Sequence, residues 1–292
     1  MRDALAHYLF TGHAVRAALV DVHAGLADML DHRAYAPGVR QILGEALAAA
    51  PLLASHLKFE GRISLQYQGD EQLSLLVVQI DDQLTLRGMA KTRVGADGSF
   101  ATLVHGGRLS VLLEPKAGTT RYEGIVPLTG GSLAQALEGY YAQSEQLATR
   151  LCLAADAGHL RGLLLQRLPA TAAAQIHDEA AYWERVETLF ATLTPAELLA
   201  IEPETVMHRL FHAEDLTAFP ARTVTLACHC SRASVSQLIL ALGEHEADQL
   251  LAERDRVEVT CEFCGRTQRY SPAEVHALFA AQRAAPSGAL PH

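Results

Sequence analysis

Two short cysteine pairs near the C-terminal end, Cys228-His229-Cys230 and Cys261-Glu262-Phe263-Cys264, constrain this chain more than any other feature. Cysteines one or two residues apart place two sulfurs on one side of a tight turn. Two such turns brought together form a tetrahedron of thiolates, which suits Zn²⁺ at about 2.3 Å per bond. Gly265 directly follows the second pair, where a backbone knuckle needs φ > 0. The pattern predicts a zinc site at Cys228, Cys230, Cys261 and Cys264. His229 lies between two ligands, but four cysteines already complete the shell, so it is read as solvent-facing. Cys152 stands apart in an expected strand and reads as a small buried apolar residue. Spacing alone favours a structural zinc site. Thioredoxin-like chemistry at Cys261 and Cys264 is the alternative, but it expects a βαβ pattern that the sequence does not show.

The 292 residues exceed what one hydrophobic core usually serves, so two units are expected. Residues 171–222 carry three basic side chains (Arg185, Arg209, Arg222) against nine acidic ones, and no other segment is basic either. Phosphate neutralisation therefore has no platform, and a nucleic-acid role is disfavoured. No stretch reaches the roughly 18 uncharged apolar residues that span a bilayer, and the N-terminus lacks a secretory signal pattern. The expectation is a soluble cytoplasmic protein without a membrane role, in which clustered cysteines are not standing disulfides. Enzyme signatures are missing as well. There is no glycine-rich phosphate loop and no nucleophile elbow, and Gln249 stands where a zinc protease beginning at His245-Glu246 would need its second histidine. The reading is that the chain is not an enzyme.

Along the chain, residues 4–30 read as apolar-periodic helix through Leu5, Leu9, Leu19, Leu26 and Leu30, with Gly12 and Gly25 as possible breaks. A second helix is expected from Pro37 to Lys58, its apolar face formed by Val39, Ile42, Leu43, Ala46 and Leu47, with a kink at Pro51. Period-two alternation then predicts strands at 62–68, 73–80, 84–90, 109–114 and 121–126. Ser132 and Gln135 form a capping-box pattern for a helix through about Leu147, and strands follow at 150–155 and 160–168. Helices and grouped strands in this order suggest α+β with an antiparallel or mixed sheet. Pro169 and Ala170–Ala174 read as a boundary. Beyond it, Tyr182, Trp183, Val186, Leu189 and Phe190 supply the apolar side of an acidic helical segment, and Thr194-Pro195-Ala196-Glu197 opens another helix. That stripe needs a surface to lie on, with the segment's own negative charge opposing the docking. The domain reading is thus a core over 1–170, a helical linker over 171–222, a zinc domain over 223–283 and a disordered tail over 284–292.

The cysteine segment, with Cys228-His229-Cys230-Ser231-Arg232 and Val257-Glu258-Val259-Thr260-Cys261-Glu262-Phe263-Cys264, resembles the Hsp33 family of redox-regulated holdase chaperones. So do Leu57–Gly61 leading into Leu65–Asp70, then Arg87–Ala90, Arg121–Gly124, Tyr140–Leu147, Gly162–Gln166 and His208–His212. The resemblance covers about residues 5–275. It matches least over Val94–Gly107 and the C-terminal tail. It implies an N-terminal α+β core, a metastable helical linker and a C-terminal zinc domain. It also implies an ATP-independent chaperone that is inactive while reduced and zinc-bound. Oxidation of the four cysteines would form the disulfides Cys228–Cys230 and Cys261–Cys264, release Zn²⁺ and unfold the linker. The active form would be a homodimer that binds unfolded clients under oxidative stress and passes them to the Hsp70 system. Two other readings stay open at this point: a constitutive zinc-stabilised adaptor for one folded partner, and a thiol oxidoreductase using Cys261 and Cys264.

Overall fold

A computed structural model describes residues 2–55, 60–116, 121–128, 130–169 and 178–284. They fall into two compact units that divide between Ala227 and Cys228.

The first unit runs β1 (Ala4–Phe10), β2 (Val15–Val22), α1 (Leu26–Leu30), α2 (Pro37–Ala54), β3 (Gly61–Gln68), β4 (Leu73–Asp81), β5 (Thr85–Thr92) and α3 (Phe100–Leu103). It continues with β6 (Arg108–Pro115), β7 (Tyr122–Val126), α4 (Leu133–Tyr140), a π-helical turn (Tyr141–Glu145), β8 (Thr149–Ala155) and β9 (Leu160–Arg167). Beyond the undescribed residues 170–177 come α5 (Glu179–Phe190), α6 (Pro195–Ala200), α7 (Pro203–Phe211), β10 (Leu216–Ala218), β11 (Arg222–Thr223) and β12 (Thr225–Leu226). Two sheets result. One has the order β10-β1-β2-β9-β8, with β11 also paired to β1, and the other has the order β12-β5-β4-β3-β6-β7. Every pairing in the two sheets is antiparallel except β12 with β5. The fold is α+β.

Helix α2 touches strands of both sheets. That position accounts for its composition: Ile42, Leu43 and Leu47 are buried, and so is the run Ala48–Ala50, because a helix enclosed between two sheets needs apolar residues all round. Glycines let the layers approach. A Cβ at Gly44 would come within 2.4 Å of Ala155 Cβ, and one at Gly162 within 2.9 Å of Leu52 Cδ1. The helix ends at Ala54, and the expected continuation to Lys58 lies outside the described residues.

The expectation of one helix over residues 4–30 is overturned: the segment forms β1 and β2, joined at Gly12 (φ 79°), and only α1 is helical. The cause is burial on both sides. Along β2, Ala18, Val20 and Val22 join the core around α2, whereas Val15, Ala17 and Leu19 face a second cluster on the opposite side. A strand buried on both faces is a continuous apolar run, which periodicity cannot separate from a buried helix. A smaller correction concerns α4. The Ser132 hydroxyl does accept from Gln135 N, but the Gln135 amide oxygen accepts from Gly131 N rather than completing the box, and the α-helix gives way to the π-turn at Tyr141 instead of running to Leu147.

The second cluster lies between the outer face of the first sheet and α5–α7. Sheet residues Phe10, Val15, Leu19, Cys152, Leu163 and Leu165 meet Val186, Leu198, Val206, Met207 and Phe211 there.

The second unit holds α8 (Arg232–Leu242), α9 (Glu244–Glu253), the hairpin β13 (Val257–Thr260) and β14 (Thr267–Tyr270), and α10 (Pro272–Ala284). Its buried apolar side chains are few: Val235, Ile239, Ala247, Val257, Tyr270, Val275 and Phe279. Beyond Ala284, the expected tail lies outside the described residues.

Candidate metal centre

Local chain chemistry presents each cysteine pair. Ser231 caps α8, its hydroxyl accepting from Ser234 N at 3.0 Å, and its own N–H donates to His229 O at 2.8 Å. Cys228 and Cys230 are thereby fixed in the tight segment just ahead of the helix. The other pair occupies the tip of the β13–β14 hairpin, whose last rung is Thr260 opposite Thr267. There Gly265 N donates to Cys261 O and Cys261 N to Arg266 O, both at 2.9 Å. Gly265 takes φ 68°, the left-handed backbone expected of it.

These two turns bring the four Sγ atoms within 4.8 Å of one another. Close contacts run between the pairs, Cys228 to Cys261 at 3.4 Å and Cys230 to Cys264 at 3.2 Å. A tetrahedral site with bonds of about 2.3 Å has sulfur–sulfur edges of about 3.8 Å, so the donor set fits a single four-coordinate ion. Among the described residues it is the one such group of three or more metal-ligating side chains.

The electrostatics of the group ask for a cation. Burial pushes the Cys228 and Cys230 thiols up, and hydrogen bonds with neighbouring thiols reinforce this at Cys230. At Cys261 burial also acts upward, but backbone N–H groups of Cys264 and Phe263 and the thiols of Cys228 and Cys230 outweigh it and hold the group below the ordinary thiol range. Without a positive ion, then, the surroundings favour the thiolate at Cys261 and disfavour it at Cys228 and Cys230. A bound dication compensates four thiolates at once, because thiol coordination requires the deprotonated form.

Cys152 takes no part. It lies buried on β8 inside the second cluster, and burial, with Glu45, Glu138 and Glu197 adding to it, pushes its thiol up to about 12.

The linker stripe is placed in the same cluster: Tyr182, Trp183, Val186 and Phe190 are buried against the first sheet, and Leu189 packs beside them. Its carboxylates do not simply repel the core. Glu179 accepts from Ala14 N and is hydrogen-bonded to His13 Nδ1, each at 3.0 Å, and the His13 ring stacks on Tyr182 with centroids 3.3 Å apart. Glu187 pairs with Arg150 of β8. Sequence reasoning missed these anchors, as it missed the contribution of α7, although Val206, Met207, Leu210 and Phe211 carry the i, i+4 spacing that betrays it.

Comparison with known proteins agrees with this architecture. A family model described as Hsp33 protein matches residues 3–271. The chain belongs to the Hsp33 family. It is 39% identical over 284 residues to a 33 kDa chaperonin of Ectopseudomonas mendocina, covering 96% of each chain. The corresponding protein of Chromobacterium violaceum is 39% identical over 280 residues, covering 95% of this chain and 94% of that one. In fold, the chain is similar to the crystal structure of the Thermotoga maritima 33 kDa chaperonin, with a TM-score of 0.79 over 96% of this chain and 99% of that one at 21% identity. Hsp33 proteins are chaperones, and the four-cysteine centre is compatible with the zinc and redox-disulfide chemistry expected of one. Among the described residues no helix is long and apolar enough to cross a membrane.

Proposed function

We propose that this chain is a redox-gated, ATP-independent holdase of the cytoplasm, with Cys228, Cys230, Cys261 and Cys264 as both zinc ligands and redox-active residues. The observation that carries the reading is the pairing of a four-sulfur centre with a unit whose own core is thin. A module of this size draws about 3–5 kcal/mol from its core. Zinc bound to four thiolates contributes about 10–16 kcal/mol of apparent folding free energy at neutral pH. The metal term decides whether the second unit is folded.

Thiolates are the form that peroxide or hypochlorous acid attacks. One sulfur becomes a sulfenic acid, and a neighbouring thiol displaces water from it to form a disulfide. Each disulfide removes two ligands. Although sulfurs of different pairs lie close together in the folded unit, we assign the products as Cys228–Cys230 and Cys261–Cys264. Once the unit loosens, closing a loop between sequence neighbours costs far less chain entropy than closing one across some thirty residues.

The segment from residue 171 to 222 is the proposed responsive element. Its chain leads through β12, whose neighbour Ala227 still hydrogen-bonds Leu86 O, directly into Cys228. When α5–α7 detach, Trp183, Val186, Phe190 and the sheet face beneath them become apolar surface, which is what an unfolding client binds. The active form is read as a homodimer that hands clients to the Hsp70 system; this assignment rests on family membership. The protein acts by binding, not by turnover.

The test is binding of a chemically unfolded client, followed by fluorescence anisotropy, to reduced and oxidised protein. Affinity gained on oxidation supports the holdase. Affinity lost on oxidation identifies the constitutive zinc-stabilised adaptor instead. Peptide mapping that returned a Cys230–Cys261 bridge would overturn the assigned connectivity.

A further inference from the structure

A buried cation in the first sheet holds α6, and nothing in the zinc chemistry accounts for it. Arg161 on β9 is 4% exposed. Its Nε donates to Asp21 Oδ1 of β2 at 2.8 Å. Its Nη1 donates to three carbonyl oxygens at the end of α6: Leu198 at 3.1 Å, Leu199 at 2.9 Å and Ile201 at 2.7 Å. The last carbonyls of a helix have no donor within it and sit at the negative end of its dipole. Here the sheet supplies the missing donor. At its other end α6 closes on itself through the Thr194–Glu197 capping box, so the guanidinium completes a six-residue helix that could hardly stand alone. Leu198, fully buried in the second cluster, is held in place by the same contact.

The supporting carboxylate is arranged for positioning rather than for maximal stability. Asp21 is 1% exposed, its Oδ1 faces Arg161 and, at 3.4 Å, His159 Nδ1, and its Oδ2 has no hydrogen-bond partner. A buried ion pair is commonly no more stabilising than apolar side chains of the same volume; its advantage is that it accepts one geometry and rejects others. With α6 docked, four hydrogen bonds offset the desolvation of the guanidinium. With α6 detached, Arg161 and Asp21 keep each other and regain water, and so do the three carbonyls. Neither state strands a charge, which is what a reversible attachment needs.

We propose that Arg161, oriented by Asp21, is the positioning residue that fixes α6 in register on the sheet and sets how readily α5–α7 detach. The attachment stands on the contacts described; its consequence for client binding rests on the function proposed above.

The experiment uses the full-length reduced, zinc-loaded protein and two variants. Arg161→Lys keeps a charge near Asp21, but its single ammonium cannot hold Asp21 where Nε does and also reach the three carbonyls where Nη1 does. Asp21→Asn/Arg161→Met removes both charges, so no ion is left buried alone. Amide hydrogen exchange is followed over residues 195–211, with β3 and β4 as the control for an intact fold. The expected result is exchange about tenfold faster or more over 195–211, unchanged exchange in β3 and β4, and full zinc and thiol content. Unchanged exchange over 195–211 in both variants would overturn the proposal, as would equal acceleration in β3 and β4. Aggregation assays on the same reduced variants separate the two claims. Client protection without oxidation supports both, whereas faster exchange without protection upholds the attachment and counts against detachment as the activating step.

Discussion

The five cysteines divide by environment, and the division has a chemical consequence for each. Cys152 is walled into an apolar cluster and its thiol is pushed up to about 12, so it carries almost no thiolate at neutral pH. Alkylation of the native protein at pH 8 should leave Cys152 unmodified, as read by mass spectrometry of its peptide; early modification there would contradict its placement. The same burial predicts an alkaline limit to stability. A thiol whose pKa is higher folded than unfolded stabilises the fold fully below the unfolded value near 9, and that contribution is lost as pH rises toward 12. Denaturant midpoints of the first unit should fall over that window, and Cys152→Ala should flatten part of the fall. The four remaining cysteines share one small volume, where thiolates need a cation. The sequence made that group legible because tight cysteine spacing leaves few geometries. It gave no sign of Arg161, Asp21 or Glu179, since a charged residue inside a strand or helix looks the same whether it faces solvent or a partner more than a hundred residues away.

Elements were legible in proportion to how one-sided their surroundings are. Strands β3 to β7 alternate because they belong to a sheet with one face on α2, and their positions follow from the residue pattern almost to the residue. Strands β1 and β2 were misread because their sheet is covered on both faces, by α2 on one side and α5–α7 on the other, while β8 and β9 of the same sheet were placed because Asp156-Ala157-Gly158 divides them into runs too short for helices. That second cover is the part of the fold on which the proposed function turns. Trp183 is the chain's one tryptophan and is buried in the docked α5, so its emission reports docking directly. Oxidation should shift that emission to the red as the ring enters water, and an unchanged spectrum would mean α5 stays in place. Trp183→Ala should destabilise the docked segment by about 3–5 kcal/mol through the cavity it leaves, seen as loss of exchange protection in α5. Thr194→Ala, which breaks the capping box of α6, should cost about 1 kcal/mol, a smaller loss measured in the same way.

For the molecule as a whole, the two units differ in what holds them. The first has two sheets closed on an apolar helix; the second has, among its described residues, seven buried apolar side chains and four sulfurs. Chelation under reducing conditions should therefore remove exchange protection from residues 228–284 while β2 and β9 keep theirs. Loss of protection in both units together would show that the first depends on the metal as well. The central claim is that leaving the metal-bound state creates the client-binding surface. It is tested most directly by light scattering of an aggregating client, with zinc release followed by a chelating dye in the same sample as oxidant is added. Reduced protein should give no suppression, and suppression should begin only after zinc appears in solution. Zinc release without suppression would contradict the claim and leave the four cysteines as a structural centre.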